Sequence, residues 1–232
     1  VCFSPEADLV GGVVVAAIGV DVLRHRDGRS THRALCALPL VLGAHQFVEA
    51  FVWFGLEHHL DPSLGRFAMW IYLAIAFVVL PIFVPAAVLL LEPNPRRRRL
   101  MVPFELLGIA VASDLLAAMV RGPVGVELRP YHLAYSVHLR DGGLVVVLYV
   151  VAVCGAFLLS SYRPIAAYGV VNLVAVAVIA KLTVDGFASV WCGYAALTSI
   201  ALAIYMRRAH PTAPAPPPRD SHVVSTPITR VT

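Results

Sequence analysis

Seven separate apolar stretches, at residues 8–23, 34–55, 66–91, 100–120, 143–162, 165–182 and 187–206, occupy most of this 232-residue chain. A helix needs about 20 apolar residues to cross roughly 30 Å of hydrocarbon. Inside that hydrocarbon, each backbone N–H and C=O must be bonded within the protein. The chain is therefore read as an all-α polytopic membrane protein, a bundle of seven transmembrane helices. Hydrophobic residues at 59% against 14% charged exclude an ordinary soluble domain. The first stretch is short and interrupted by Gly11, Gly12 and Gly19. Glu6 and Asp8 stand where a signal peptide would carry basic residues, so it is read as a membrane helix.

Arginine placement orients the bundle, because basic residues are retained on the cytoplasmic side. Arg24, Arg26, Arg29 and Arg33, then Arg96 to Arg99, Arg163, and Arg207 with Arg208 all fall on one side if the N-terminus is outside. The opposite loops hold Arg66, Arg121, Arg129 and Arg140. Residues 1–208 are thus expected to form one transmembrane domain, N-terminus outside, in the plasma (cytoplasmic) membrane. Residues 209–232, rich in Ala, Pro and Thr, are expected to be a disordered cytoplasmic tail. The net charge of +4 describes this topology and contact with membrane lipids, and no nucleic-acid partner is expected. No internal repeat is evident, which weighs against a transporter built from duplicated halves.

An ionisable side chain within hydrocarbon is costly and marks a candidate functional site. Glu49 lies about six residues below the outer end of the second stretch and Asp114 about six below that of the fourth, each roughly 9 Å deep. His45, Gln46, Glu49 and Trp53 share one helical stripe. Glu49 is either an interior carboxyl that ties helices together, with Lys181 as a partner, or an acid that desolvation keeps protonated for donation. Asp114 invites the same choice, and two acids in different surroundings can divide acid and base roles. Lys181, Asp185 and Trp191 lie near the outer ends of the last two stretches, and the 121–142 loop, with His132, Tyr135 and His138, is long enough to form a lid. His45 and Glu49 at i and i+4 could join His132 or His138 on a metal, but without a second helical histidine no metal is assigned. Cys2 and Cys192, both outside, are a candidate disulfide, with free thiols as the alternative; Cys36 and Cys154 are expected to be buried thiols. Asn172 is expected to bond a neighbouring helix, and Pro81 with Pro85 to kink the third span.

Two resemblances follow from these residues. Cys2-Phe3-Ser4, Gln46-x-x-Glu49 ending in Val52-Trp53, Pro81…Pro85…Leu89-Leu90-Leu91-Glu92-Pro93, His132-x-x-Tyr135 and Ser189-Val190-Trp191-Cys192 together resemble a family of small bacterial membrane proteins of unassigned function. The segment from Leu38-Pro39-Leu40 to Phe51, with Glu49, is similar to the second helix of small seven-helix membrane-bound terpene cyclases. That likeness implies proton-initiated cyclisation of a lipophilic prenylated indole or phenol, with no cofactor. Glu49 would be the proton donor and Asp114 the assisting acid, with Asp185 in its place as an alternative. His45, Gln46, Trp53, His132, Tyr135, Lys181 and Trp191 would bind the substrate. The alternative is a small transporter or membrane sensor with a proton- or solute-linked carboxylate. A retinal protein is disfavoured because Lys181, the only lysine, is not in the last helix. A zinc hydrolase is disfavoured because paired histidines are missing from that helix.

Overall fold

The computed structural model describes residues 4–24, 33–130, 132–182 and 187–208. The tail at 209–232, Cys2, Tyr131, Asp185 and the side chain of Cys192 lie outside the described residues, and with them the candidate disulfide. The described chain is mostly helical: α1 (Pro5–Arg24), α2 (Arg33–Leu56), α3 (Pro62–Ala74), a π-helical turn (Ile75–Val79), α4 (Leu80–Leu91), α5 (Pro95–Arg121), α6 (Gly142–Leu158), α7 (Arg163–Leu182) and α8 (Phe187–Arg208). α3, the π turn and α4 run on as one helix, so the described residues hold seven helical rods in the predicted order. Four of them, Arg33–Leu56, Pro62–Leu91, Pro95–Arg121 and Arg163–Lys181, are long and apolar enough to cross a membrane. The mostly helical fold agrees with the helical class read from the sequence, and the segment read as a loop adds one small feature. The 121–142 segment carries an antiparallel hairpin, β1 (Val124–Arg129) on β2 (His132–Val137), pairing Leu128 with Leu133, Val126 with Tyr135 and Val124 with Val137. Side chains alternate across a strand, so these residues give the ribbon one apolar and aromatic face.

α2 is the central rod, packed by α1, α3, α4 and α8. Of its most apolar 18-residue window 61% is buried, against 28% for α5 and for α7, so those two lie at the periphery. α1 and α2 meet along a seam of small residues. A Cβ on Gly12 would stand 2.6 Å from the Phe47 backbone nitrogen, and one on Gly19 2.6 Å from that of Leu40. The buried stripe Pro5, Asp8, Gly12, Val15, Gly19 and Val22 on α1 repeats every three or four residues, the spacing of one helical face. Where hydrocarbon surrounds helices, association depends on such close packing.

The expected kink in the third span takes the form of a π turn, and its cause is covalent. Leu80 N–H bonds to Ile75 O, one residue beyond the α position. The next residue, Pro81, has no N–H, so the Ala76 carbonyl loses its helical donor. Tyr149 on α6 replaces it, its hydroxyl donating to Ala76 O at 2.8 Å. Pro85 likewise cannot donate to Pro81 O, and α5 closes on that carbonyl at Gly108, where any Cβ would collide with it. At the Arg96–Arg99 end of the bundle a polar clasp joins two loops. Glu92, buried, accepts from Asn94 N–H at 3.1 Å, Ser161 N–H at 2.8 Å and the Ser161 hydroxyl. Arg97 donates to the Leu159 and Ser160 carbonyls at 3.1 and 3.2 Å, capping the end of α6.

Gly43 on α2 faces the Ala16 backbone across the same seam, so Gly43→Val is expected to force α1 outward and cost roughly 1–3 kcal/mol. Tyr149→Phe keeps the ring but strands the Ala76 carbonyl, at about 1–3 kcal/mol. Thermal unfolding in detergent checks both, with a change at exposed Val147 as the control expected to be silent.

Candidate functional site

The continuous helix that carries the π turn also shapes the site on α2. Tyr72 O shares the Ile75 N–H with Ile71 O and also accepts from His45 Nε2 at 3.2 Å. A carbonyl can only accept, so Nε2 carries the hydrogen and the tautomer is fixed. The His45 ring lies on Tyr72 with centroids 4.0 Å apart, and Tyr72 lies on Tyr135 of the hairpin at 4.5 Å with planes 14° apart. Three rings from α2, α3 and β2 therefore form one stack, with Tyr72 covered on both faces. Leu133, fully buried with Val52, Trp53, Met69, Tyr72 and Met119, presses the hairpin onto the bundle.

Glu49, one turn beyond His45, is wholly buried. The Tyr135 hydroxyl donates to its Oε1 at 3.5 Å, the outer limit of a hydrogen bond, so the lid touches the carboxyl directly. Around it, His45 Nδ1, Gln46 Nε2 and Trp53 Nε1 are shut from solvent and have no hydrogen-bond partner among the described residues. Buried polar atoms of this kind are places for ordered water or a small polar ligand. Asp8 on α1 is also wholly buried. Since Gly12 faces Phe47 and the helices run antiparallel, Asp8 comes level with the turn after Gln46 and Glu49. The chain pattern held a signal for Asp8, its place on the Gly12–Gly19 stripe, which sequence reading used only to exclude a signal peptide.

Other predicted residues are placed elsewhere. Asp114 is exposed on α5, a helix packed on α4, α6 and the π turn, so the structure does not bring it to buried Glu49. Lys181 is exposed at the end of α7, and no ion pair joins it to Glu49 among the described residues. Trp191 lines a small crevice of about 30 Å³ with Leu38, Tyr149 and Asn172, toward the bundle centre. His132 is half-buried, but alternation along β2 turns it away from the face that carries Tyr135. Asn172 bonds the Tyr168 carbonyl of its own helix at 2.7 Å, not the neighbouring helix expected, because its amide folds back one turn. Cys36 and Cys154 are buried thiols, as expected. Among the described residues no three His, Cys, Asp or Glu side chains cluster as a metal site.

Residues 1–217 match a family described as a family of unknown function (DUF6629). The chain belongs to that family. Its membership agrees with the first resemblance drawn from the sequence, and no likeness to terpene cyclases accompanies it. Neither a curated protein nor a solved structure matches the chain.

Leu133→Ala is expected to weaken hairpin docking by about 2–5 kcal/mol. Faster amide hydrogen exchange across 124–137, with α2 exchange unchanged, is the measurement that checks it.

Proposed function

We propose that this family member is a multi-pass protein of the plasma membrane, seven helices crossing with the N-terminus outside, and that it works as a small proton- or solute-linked sensor or transporter. Arginine asymmetry supports the orientation, and the four long apolar helices support the membrane placement. The observation that carries the function is the buried Glu49 carboxyl, touched by the hydroxyl of a hairpin lid and sharing a helical stripe with His45, Gln46 and Trp53 atoms that have no hydrogen-bond partner among the described residues. A proton or small polar solute arriving there changes the Tyr135 contact and so the hold on the hairpin. A hydrogen bond to an ionised carboxyl is roughly twice as strong as one to a neutral group. The hairpin is therefore held most firmly with Glu49 charged.

Cyclisation of a lipophilic prenylated substrate remains a second reading, favoured by one observation, a carboxyl in aromatic surroundings next to a phenol. Two features oppose it. Tyr72 has no free ring face to offer a cation, and Asp114 lies on the outer face of α5.

The deciding experiment compares wild type, Glu49→Gln and Asp8→Asn in lipid nanodiscs by hydrogen exchange of the 124–137 amides across pH. After correction for the intrinsic exchange rate at each pH, wild type and Asp8→Asn are expected to lose protection at 124–137 as pH falls, and Glu49→Gln to lose markedly less. Equal profiles for wild type and Glu49→Gln would remove Glu49 from the role. New isobaric products from prenylated indoles, made by wild type and not by Glu49→Gln, would transfer the site to the cyclase reading.

A further inference from the structure

A second site lies apart from Glu49, at the end of the bundle opposite Arg96–Arg99. Between the close of α2, the start of α3 and β1 is a cavity of about 480 Å³, walled by Val52, Leu56, Pro62 and Val126, with His58 and Arg66 also on its lining. Its size falls within the roughly 300–1,000 Å³ of small-molecule pockets. The lining is mostly apolar, and its charge is confined to one basic pair. Glu49 is not part of it.

Local structure explains why the basic pair stands there. α2 ends in a reversed turn, His59 and Leu60 N–H both bonding Phe54 O. His58 provides the turn with φ 60°, a left-handed conformation usually left to glycine. It is the one non-glycine residue in that conformation among the described residues. Arg66 sits in the second turn of α3, where its methylenes can lie along the apolar wall with the guanidinium at the mouth. Asp61, whose charge Arg66 also feels, is engaged in its own helix cap, accepting from the Ser63 hydroxyl and N–H. Those two bonds hold its carboxyl below the ordinary carboxylate range.

We propose that this cavity binds a single apolar chain bearing an anionic head, a carboxylate or phosphate, with the chain against Val52, Leu56 and Val126 and the head on Arg66 and His58. A planar guanidinium favours such heads through paired charge-assisted hydrogen bonds. The inference uses the membrane placement proposed above and none of the Glu49 chemistry.

The test uses the full chain in nonionic detergent with cis-parinaric acid as the fluorescent probe and its methyl ester as the uncharged counterpart. Saturable binding of the acid is expected, with Arg66→Gln and the ester each weaker by about tenfold, roughly the loss of one charged contact. Leu56→Trp on α2 and, independently, Val126→Phe on the hairpin are expected to fill the space and abolish binding. Glu49→Gln is expected to bind as wild type does, which separates this site from the functional reading above. Displacement by oleate assigns the head to a free fatty acid, and displacement by phosphatidylglycerol but not phosphatidylcholine assigns it to a membrane lipid. Equal affinity for acid and ester, unchanged binding in Arg66→Gln, or full binding in both cavity-filling variants would overturn the proposal.

Discussion

Backbone carbonyls that have lost their helical donors organise this bundle. Pro81 and Pro85 remove two N–H groups from one continuous helix, and in hydrocarbon no water is at hand to replace them. The π turn spreads the mismatch over Ile75–Val79, and neighbouring helices complete it, Tyr149 by a hydrogen bond to Ala76 O and Gly108 by close approach to Pro81 O. Just before the π turn, His45 bonds Tyr72 O. The same contact fixes the His45 ring and the Tyr72 ring beneath the hairpin. The site on α2 is thus tied to the same continuous helix that carries the π turn.

The hairpin packs over that site. Its apolar face meets the bundle at Leu133, and its aromatic ring stacks on Tyr72. An unsupported two-stranded ribbon is marginal in water, so its position depends on those contacts and on the Glu49 carboxyl. Leu133, the Tyr135 ring on Tyr72 and the partly buried Val124, Val126 and Val137 dock the hairpin by apolar contact, while the Tyr135 hydroxyl adds a polar contact to Glu49.

Much of the fold was legible in the chain because hydrocarbon imposes a strong pattern. Each of the seven apolar stretches coincides with a helical rod, with ends shifted by a few residues. The hairpin was less visible, since Val124-Gly-Val-Glu-Leu-Arg and His132-Leu-Ala-Tyr-Ser-Val alternate over only six residues each, a short signal inside a segment read as a loop. His45, Gln46, Glu49 and Trp53 stood out as one stripe because polar residues on an apolar helix do so, whereas Tyr135 was read apart from them, in the 121–142 loop. Asp114 stood out in the same way and is exposed on α5, since depth along a helix can be counted from sequence while its facing depends on which neighbours pack where. Glu92 escaped notice at the edge of a span, where a carboxyl needs no explanation until its three donors are seen.

Depth along α2 explains how one end of the bundle can hold two sites. Leu56 shares the helical face of Glu49 but lies seven residues on, roughly 10 Å nearer the end of the helix, where α3 and β1 close the cavity. The hairpin contributes to both, Tyr135 to the carboxyl and Val126, its cross-strand partner, to the apolar cavity. Partners across an antiparallel ribbon lie about 4.5–5.5 Å apart on the same face. The hairpin therefore serves as a wall for both places, while the contacts at each are made by different side chains.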